Sequence, residues 1–156
     1  MTDGRDVVAA GGCQCGAVRY AFYAPLEKSH VCHCRMCQRA TGGLFAALVG
    51  AKREDFAWVR GEARIFASSN LAERGFCGEC GTPLSFTYLS PGSNLYVTIG
   101  SLDAPESAPI EIQFGIESRL PWVRFCENVP SERTGETPAA QDFLARMKSN
   151  QDRLKG

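Results

Sequence analysis

Seven of the eight cysteines stand in three short motifs, and their spacing is the feature of this chain that most directly indicates chemistry. The densest motif is Cys32-His33-Cys34-Arg35-Met36-Cys37, which packs three thiols and an imidazole into six residues. A pair of cysteines stands on either side of it in the chain, each at a spacing that suits a metal ion. In a reducing compartment such clusters indicate metal ligands before they indicate disulfides.

The two flanking pairs predict one closed zinc site. Cys77-Gly78-Glu79-Cys80-Gly81 is a zinc-knuckle pattern, in which two thiolates converge while the glycine relieves backbone crowding. Cys13 and Cys15 can complete the set: if the extended backbone of the following strand reaches back to them, alternation places both on one face. Four thiolates make a closed tetrahedral site of the structural kind, and a redox or disulfide role is the alternative. We call Cys13, Cys15, Cys77 and Cys80 the four-thiol group.

Cys32, Cys34 and Cys37, the thiol triad, are left without an obvious fourth cysteine. Three protein ligands and an open position are typical of a catalytic zinc, because water or a substrate atom can take the fourth place. The alternative is a closed structural site completed by His30, His33 or Cys126. We expect His33 to point away from the triad, His30 to be better placed, and Cys126 to be a buried apolar residue after a strand. Spacing alone also allows Cys13 and Cys15 to join the triad.

The elements that would hold these cysteines are mostly short strands separated by glycine, proline and asparagine. The pattern predicts a short helical turn over Arg35 to Thr41 that Gly42 and Gly43 stop, and chain breaks near Gly50 and Gly61. Alternating apolar residues predict strands over residues 18–22, 44–49, 56–59, 63–66, 73–76, 84–88, 95–99, 110–116 and 122–126. Many short strands with almost no long helical periodicity predict an all-β fold, mainly antiparallel.

Length and charge limit the function classes. The chain has 156 residues, which fits one domain, here residues 1–130, followed by residues 131–156 as a polar linker and an amphipathic helix from about Ala140 to Leu154. We expect this helix to rest on its own domain or on a partner subunit, as in a homodimer. Lys plus Arg and Asp plus Glu both number 17, so no overall positive charge favours nucleic acid. No signal peptide or membrane-length apolar run is evident, and we expect a cytoplasmic protein with no membrane or nucleic-acid partner.

The motifs resemble those of the glutathione-dependent formaldehyde-activating enzyme family, whose domain is shared with centromere protein V. The resemblance covers most of residues 11–126 in the right order, and its three cysteine motifs together are highly specific. It is carried by Gly12 to Tyr20, Cys32 to Gly43, Gly75 to Leu84, Gly100 to Asp103 and Ser118 to Trp122.

This resemblance implies a zinc-bound, mostly antiparallel β-tent. It implies that the four-thiol group binds a structural zinc, and that the thiol triad binds a second, more labile and catalytic zinc. The implied reaction joins glutathione, the cosubstrate, to formaldehyde to give S-(hydroxymethyl)glutathione, formally a carbon-sulfur lyase reaction in reverse. The two glutathione carboxylates need cationic partners, for which Arg35 and Arg39 are the nearest candidates by sequence and Arg119 and Arg124 the next.

Two other classes of function stay open at this point. One is a non-catalytic, zinc-stabilised binding module, because one fold can serve several functions. The other is a thiol redox or metal-buffering protein. The ease with which the triad loses its zinc distinguishes these functions. An open triad of an enzyme should exchange its zinc with glutathione, whereas two equally tight zinc ions favour the binding module. Reversible disulfides within the triad favour a redox protein.

Overall fold

A computed structural model describes residues 4–148. Within that range the chain forms ten strands and two α-helices joined by short turns. The strands are β1 (Ala9–Gly12), β2 (Arg19–Phe22), β3 (Glu27–Cys32), β4 (Ala46–Lys52), β5 (Phe56–Arg60), β6 (Arg64–Ala67), β7 (Ala72–Phe76), β8 (Pro83–Tyr88), β9 (Asn94–Thr98) and β10 (Ile112–Phe114). The helices are α1 (Arg35–Thr41) and α2 (Pro138–Arg146), and one-turn 3-10 helices cover Arg53–Asp55, Ile99–Ser101, Pro105–Ser107 and Ile116–Ser118.

The strands form two sheets. The small sheet has the order β1-β2-β5 and the large sheet the order β10-β3-β4-β9-β8-β7-β6. All neighbouring pairs are antiparallel except β10 with β3, which is parallel. The fold is therefore mostly β with antiparallel sheets, as the sequence predicts.

The main core contains residues of both sheets. Tyr20 and Phe22 of the small sheet are fully buried, and they belong to one apolar cluster with Val49 and Val97 of the large sheet. Because side chains alternate across a strand, the neighbours of these residues in β4 and β9 point to the opposite face of the large sheet. Leu48 lies there in a second apolar cluster with Cys37 and Ala46. The large sheet thus has a core face and a second face that carries the thiol triad.

Most of the predicted elements are present within three residues of their predicted bounds. The helical turn over Arg35 to Thr41 is α1 itself, and Gly42 ends it in the left-handed conformation at φ 67°. The predicted C-terminal helix is α2, which begins at Pro138; the part of the prediction from residue 149 to 154 lies outside the described residues. None of the helices in residues 4–148 is long and apolar enough to span a membrane.

Three local predictions are wrong. Gly50 does not break the chain but lies inside β4, where a Cβ atom would stand 2.9 Å from the ring of Tyr96. Cys13 and Cys15 do not lie on an extended strand, because the chain turns at Cys13 and its carbonyl accepts a hydrogen bond from the Gly16 N–H at 3.1 Å.

The third error concerns residues 122–126, which form turns instead of a strand. The edge of β10 where such a strand could pair is already taken, because the Gln113 N–H donates to the Pro130 carbonyl and the Glu132 N–H donates to the Gln113 carbonyl. Cys126 accordingly adopts φ 63° in a turn and is half-buried instead of buried. These hydrogen bonds also show that the first residues of the predicted polar linker, near Ser131, lie against the edge of the large sheet. The division of the chain at residue 130 stays a prediction.

Two strands were not predicted from the sequence. β1 consists of Ala9–Gly12, whose small residues carry no alternating pattern, and β3 includes Lys28 with a positive φ and a register shift against β4.

Candidate metal sites and the adjoining cavity

The four-thiol group forms where two turns meet. Cys13 and Cys15 follow β1, whereas Cys77 and Cys80 lie in the turn between β7 and β8. No two of the four sulfur atoms are more than 4.8 Å apart, and Cys13 and Cys15 Sγ are separated by 3.5 Å. The group therefore links a turn of the small sheet to a turn of the large one.

Backbone hydrogen bonds hold both turns in shape. The Cys77 N–H donates to the Thr82 carbonyl at 2.9 Å, and the Cys13 N–H donates to the Val18 carbonyl at 3.0 Å. Gly16 and Gly81 each follow a cysteine and adopt φ values of 79° and 76°, a region that glycine enters without steric cost. Gly81 thus has the role that the zinc-knuckle pattern predicts.

The thiol triad is built where β3 ends and α1 begins. Cys32 is the last residue of β3, Cys34 is the N-cap of α1, and Cys37 lies in the first turn of that helix. The Cys34 sulfur accepts a hydrogen bond from the Cys37 N–H at 3.4 Å, which holds the Cys34 side chain against the first turn of α1. Gly115 lies against this loop so closely that a Cβ atom there would stand 2.9 Å from the Cys34 nitrogen.

The three triad sulfur atoms lie within 4.8 Å of one another in a largely buried position, so they cannot all ionise freely. Hydrogen bonds from the Cys32 and Cys34 thiols, with the nearby Arg74 guanidinium, lower the pKa of Cys37 to about 3. Contacts with Cys34 and Cys37 raise the pKa of Cys32 well above its usual value. The chain alone thus stabilises one thiolate among the three, and a bound cation would allow the others to ionise.

Both groups suit a soft divalent metal by their donor atoms. Sulfur ligands at this separation favour zinc over magnesium or calcium, which prefer oxygen. The four-thiol group offers a complete tetrahedral set and the thiol triad offers three ligands. The two groups match the partition that the sequence favours. The identity and number of ions, and the catalytic role of the triad, stay predictions.

The sequence offers His30, His33 and Cys126 as a fourth ligand of the thiol triad. Among residues 4–148, none of these three groups with the triad sulfur atoms. His33 faces away from the triad, as alternation predicts, and is fully buried with Nε2 3.0 Å from Gln113 Oε1. The Gln113 side-chain nitrogen donates to the Cys126 carbonyl, so the Gln113 side-chain oxygen accepts the hydrogen bond from His33 Nε2. The other ring nitrogen, His33 Nδ1, is buried without a hydrogen-bond partner. His30 donates from Nδ1 to the Lys28 carbonyl at 2.7 Å, and burial lowers its pKa.

Arg74 is the residue near the thiol triad that sequence reasoning missed. Its Nη2 donates to Cys37 Sγ at 3.3 Å, its Nε donates to Ser68 Oγ at 3.0 Å, and its guanidinium carbon lies 4.8 Å from the centre of the Phe86 ring. The register pairs Arg74 with Phe86 and Phe86 with Tyr96, so these side chains form one row across the sheet. Only the pairing of β7, β8 and β9 brings Arg74 to the triad, and no local pattern predicts it.

A cavity of about 490 Å³, the triad cavity, opens beside the three thiols. Its floor is the second face of the large sheet, and its volume is typical of sites for small organic ligands. The residues that line it from this sheet are His30, Leu48, Ala72, Arg74, Phe86, Tyr88, Tyr96 and Phe114. The C-terminal segment supplies the opposite wall, from Glu132 to Met147.

The arginines that the sequence suggests as partners of the glutathione carboxylates do not line the triad cavity. Arg35 and Arg39 are exposed on α1, and neither lines the triad cavity. Arg35 donates to the Gln38 side chain, and Arg39 lines a separate hollow of about 320 Å³. Arg119 and Arg124 are also exposed and do not line the triad cavity. A role for Arg35 and Arg39 in binding glutathione stays a prediction.

Comparison with known proteins gives three findings. The model of the glutathione-dependent formaldehyde-activating enzyme family matches residues 8–117. An uncharacterized lyase of Schizosaccharomyces pombe is 26% identical over 109 residues, which cover 70% of this chain and 79% of the yeast protein. A structural-genomics crystal structure of a Rhodobacter sphaeroides protein is 25% identical with a TM-score of 0.48, over 60% of this chain and 87% of that one.

Proposed function

Because the chain belongs to the glutathione-dependent formaldehyde-activating enzyme family, we propose that it is a lyase-type enzyme that adds a thiol to a small carbonyl compound at the triad cavity. The thiol is glutathione or a related compound, and the electrophile is formaldehyde or a similar small molecule. The product with formaldehyde is S-(hydroxymethyl)glutathione. The observation that carries the proposal is the convergence of three thiols, one ligand short of a closed site, at the edge of a ligand-sized cavity.

The two metal groups have different roles in this proposal. Cys13, Cys15, Cys77 and Cys80 hold a structural zinc that joins the two sheets, which gives the zinc-bound β-tent of the family. Cys32, Cys34 and Cys37 hold a second, more labile zinc with a position open to a ligand. When bound there, zinc supplies the positive charge that keeps a coordinated thiol deprotonated at neutral pH.

The charged residues of the triad cavity support a ligand such as glutathione. Glutathione carries two carboxylates and one ammonium group, and the cavity is lined by Arg74, Arg133 and Glu132. Two N–H groups of Arg74 are used by Cys37 and Ser68, and a guanidinium has five, so donors are left for a carboxylate. Arg74 and Arg133 thus offer cationic partners to the two carboxylates, and Glu132 offers an anionic partner to the ammonium group.

The chain's residues also set how the thiol meets the electrophile. In the reaction the sulfur forms a bond to the carbonyl carbon, the carbonyl π electrons move to oxygen, and the proton lost by the thiol ends on that oxygen. Arg74 holds negative charge at Cys37 and so keeps that side chain in its ligand position. The aromatic side chains of Phe86, Tyr88 and Tyr96 give the cavity around it an apolar surface. The protein acts in the cytoplasm, where glutathione is abundant.

Calorimetry with glutathione tests this function. Zinc-loaded protein should give binding heat, and Cys34→Ser should lose it because one triad ligand is removed. Cys126→Ser is the matched control, since Cys126 belongs to neither metal group, and it should bind like the parent. No heat in the parent, or equal heat in Cys34→Ser, would refute the proposal; equal heat would instead favour a non-catalytic binding module.

A further inference from the structure

The C-terminal segment beyond the family-matched residues forms one wall of the triad cavity. Four residues of α2 and the residue after it line the cavity at intervals of one, three and four. Those that line it are Ala139, Ala140, Phe143, Leu144 and Met147. Residues at these intervals share one face of a helix, and here that face is apolar throughout. The cavity therefore meets hydrocarbon on the side opposite the large sheet.

This wall is fixed to the rest of the fold. Asn70, in the loop before β7, donates from Nδ2 to the Arg146 carbonyl at 2.7 Å and from its backbone N–H to the Lys148 carbonyl at 3.0 Å. Its side-chain oxygen accepts a hydrogen bond from the Lys148 N–H. Phe143 lies edge-on to Tyr88, with 5.3 Å between the ring centres. The end of α2 is thus held over β8 by both hydrogen bonds and ring contact.

The apolar wall is larger than formaldehyde requires. Formaldehyde has a single carbon and brings no hydrocarbon to bury, whereas the space between Leu144, Phe143, Phe86 and Tyr88 belongs to a cavity of about 490 Å³. Apolar surface that a substrate covers contributes to its binding roughly in proportion to the area buried. A wall of this kind favours an electrophile with an apolar substituent.

We propose that the apolar face of α2 receives a hydrocarbon substituent on the carbonyl substrate, so that this protein prefers an aldehyde with an apolar body to formaldehyde. This rests on the proposed thiol addition. The sulfur of the thiol bonds to the aldehyde carbon, the C=O π bond becomes a C–O single bond, and the thiol proton ends on that oxygen. The product is a hemithioacetal, and no oxidant or further reactant is consumed.

Phenylacetaldehyde and formaldehyde are the probes that test the proposal. With zinc-loaded protein and glutathione, exchange NMR should give at least about a tenfold higher kcat/KM for phenylacetaldehyde, the usual scale for discrimination by an apolar pocket. Leu144→Trp fills the space and should remove this preference, so that the kcat/KM values for the two aldehydes become similar. Asp142→Ala is the control, because Asp142 is exposed and pairs with Arg146 away from the cavity, and it should behave like the parent.

A binding measurement separates this inference from the proposed function. We expect 2-phenylethanol, an unreactive alcohol, to bind the parent at least about tenfold more tightly than methanol, with the difference lost in Leu144→Trp. Ala140→Leu is a second space-filling variant in case Leu144→Trp does not fold. If glutathione binds but neither variant changes either preference, the inference is wrong and the proposed function survives. If 2-phenylethanol binds as expected but glutathione does not, the wall is assigned correctly and the proposed function is wrong.

Discussion

Among single residues, Arg74 places a positive charge in direct contact with the thiol triad. It contacts Cys37, Ser68 and the Phe86 ring at once, and it lines the triad cavity. An arginine that is held on several sides loses little freedom when it binds a carboxylate. It is a stronger candidate for binding glutathione than Arg35 or Arg39, which adjacency in the sequence favours but which lie outside this cavity.

Exchanging these arginines for glutamine distinguishes the two candidates. Arg74→Gln should weaken glutathione binding by about tenfold or more, because a charge-assisted hydrogen bond contributes about 1.5–3 kcal/mol. Arg35→Gln, the matched control, should change the affinity by less than about threefold, as exposed charges usually contribute little. Titration calorimetry measures both. The reverse order of effects would support Arg35 and contradict the role of Arg74.

Gln113 is the second residue whose role the structure defines. It accepts a hydrogen bond from the buried His33 and donates one to the Cys126 carbonyl. Gln113→Leu should lower the free energy of unfolding by about 1–3 kcal/mol, because it leaves the His33 N–H buried without a partner. Denaturant unfolding measures this loss. Adding His33→Phe to that variant should recover part of the stability, and no recovery would show that the hydrogen bond is not the cause.

At the scale of elements, the alternation of side chains explains how the triad cavity forms. His30 and Cys32 in β3, Leu48 in β4 and Tyr96 in β9 point to the same face because the strands pair in register. The sequence predicts β4 and β9 but not β3, which contains Lys28 at a positive φ. It cannot predict which strands are neighbours, and so Arg74 and the triad come together only in the folded sheet.

The attachment of α2 gives a prediction at this scale. Asn70→Ala removes the side-chain hydrogen bonds to Arg146 and Lys148 and should free the end of the helix. We expect the amide protons of α2 to exchange with solvent at least about tenfold faster, and the triad thiols to react faster with a thiol reagent in metal-free protein.

Asn94→Ala provides the control, because Asn94 also donates a side-chain hydrogen bond, to Glu27, but lies elsewhere on the sheet. It should leave the exchange of α2 unchanged. Equal exchange rates in Asn70→Ala and the parent would contradict the view that Asn70 fixes the wall of the triad cavity.

At the scale of the whole molecule, the four-thiol group joins the two sheets at their turns. Cys13 and Cys15 belong to the small sheet's first turn, and Cys77 and Cys80 to a turn of the large sheet. The spacing of the cysteines favoured this group but also allowed Cys13 and Cys15 to join the thiol triad, and only the fold brings the two turns together. The same holds for α2: its periodicity predicts a helix, but only the tertiary fold places that helix over the triad cavity.

The two cysteine groups should therefore differ in their effect on stability. Cys77→Ser should lower the free energy of unfolding by about 3 kcal/mol or more, since structural zinc contributes on the order of 10 kcal/mol of apparent binding free energy in small domains. Cys32→Ser should lower the free energy of unfolding by clearly less, because the thiol triad joins β3 only to the adjacent α1. Thermal unfolding of the zinc-loaded variants gives the comparison. Equal losses would mean that both groups are structural.

The proposed function requires an open ligand position at the thiol triad, and cadmium NMR of the metal-exchanged protein can detect that position. Cadmium takes the same sulfur ligands as zinc and its resonance reports how many of them are bound. We predict two resonances, one from the four-thiol group that does not move when glutathione is added, and one from the thiol triad that shifts toward the four-sulfur position. Two four-sulfur resonances before glutathione is added, neither of which then moves, would show that the thiol triad has no open position.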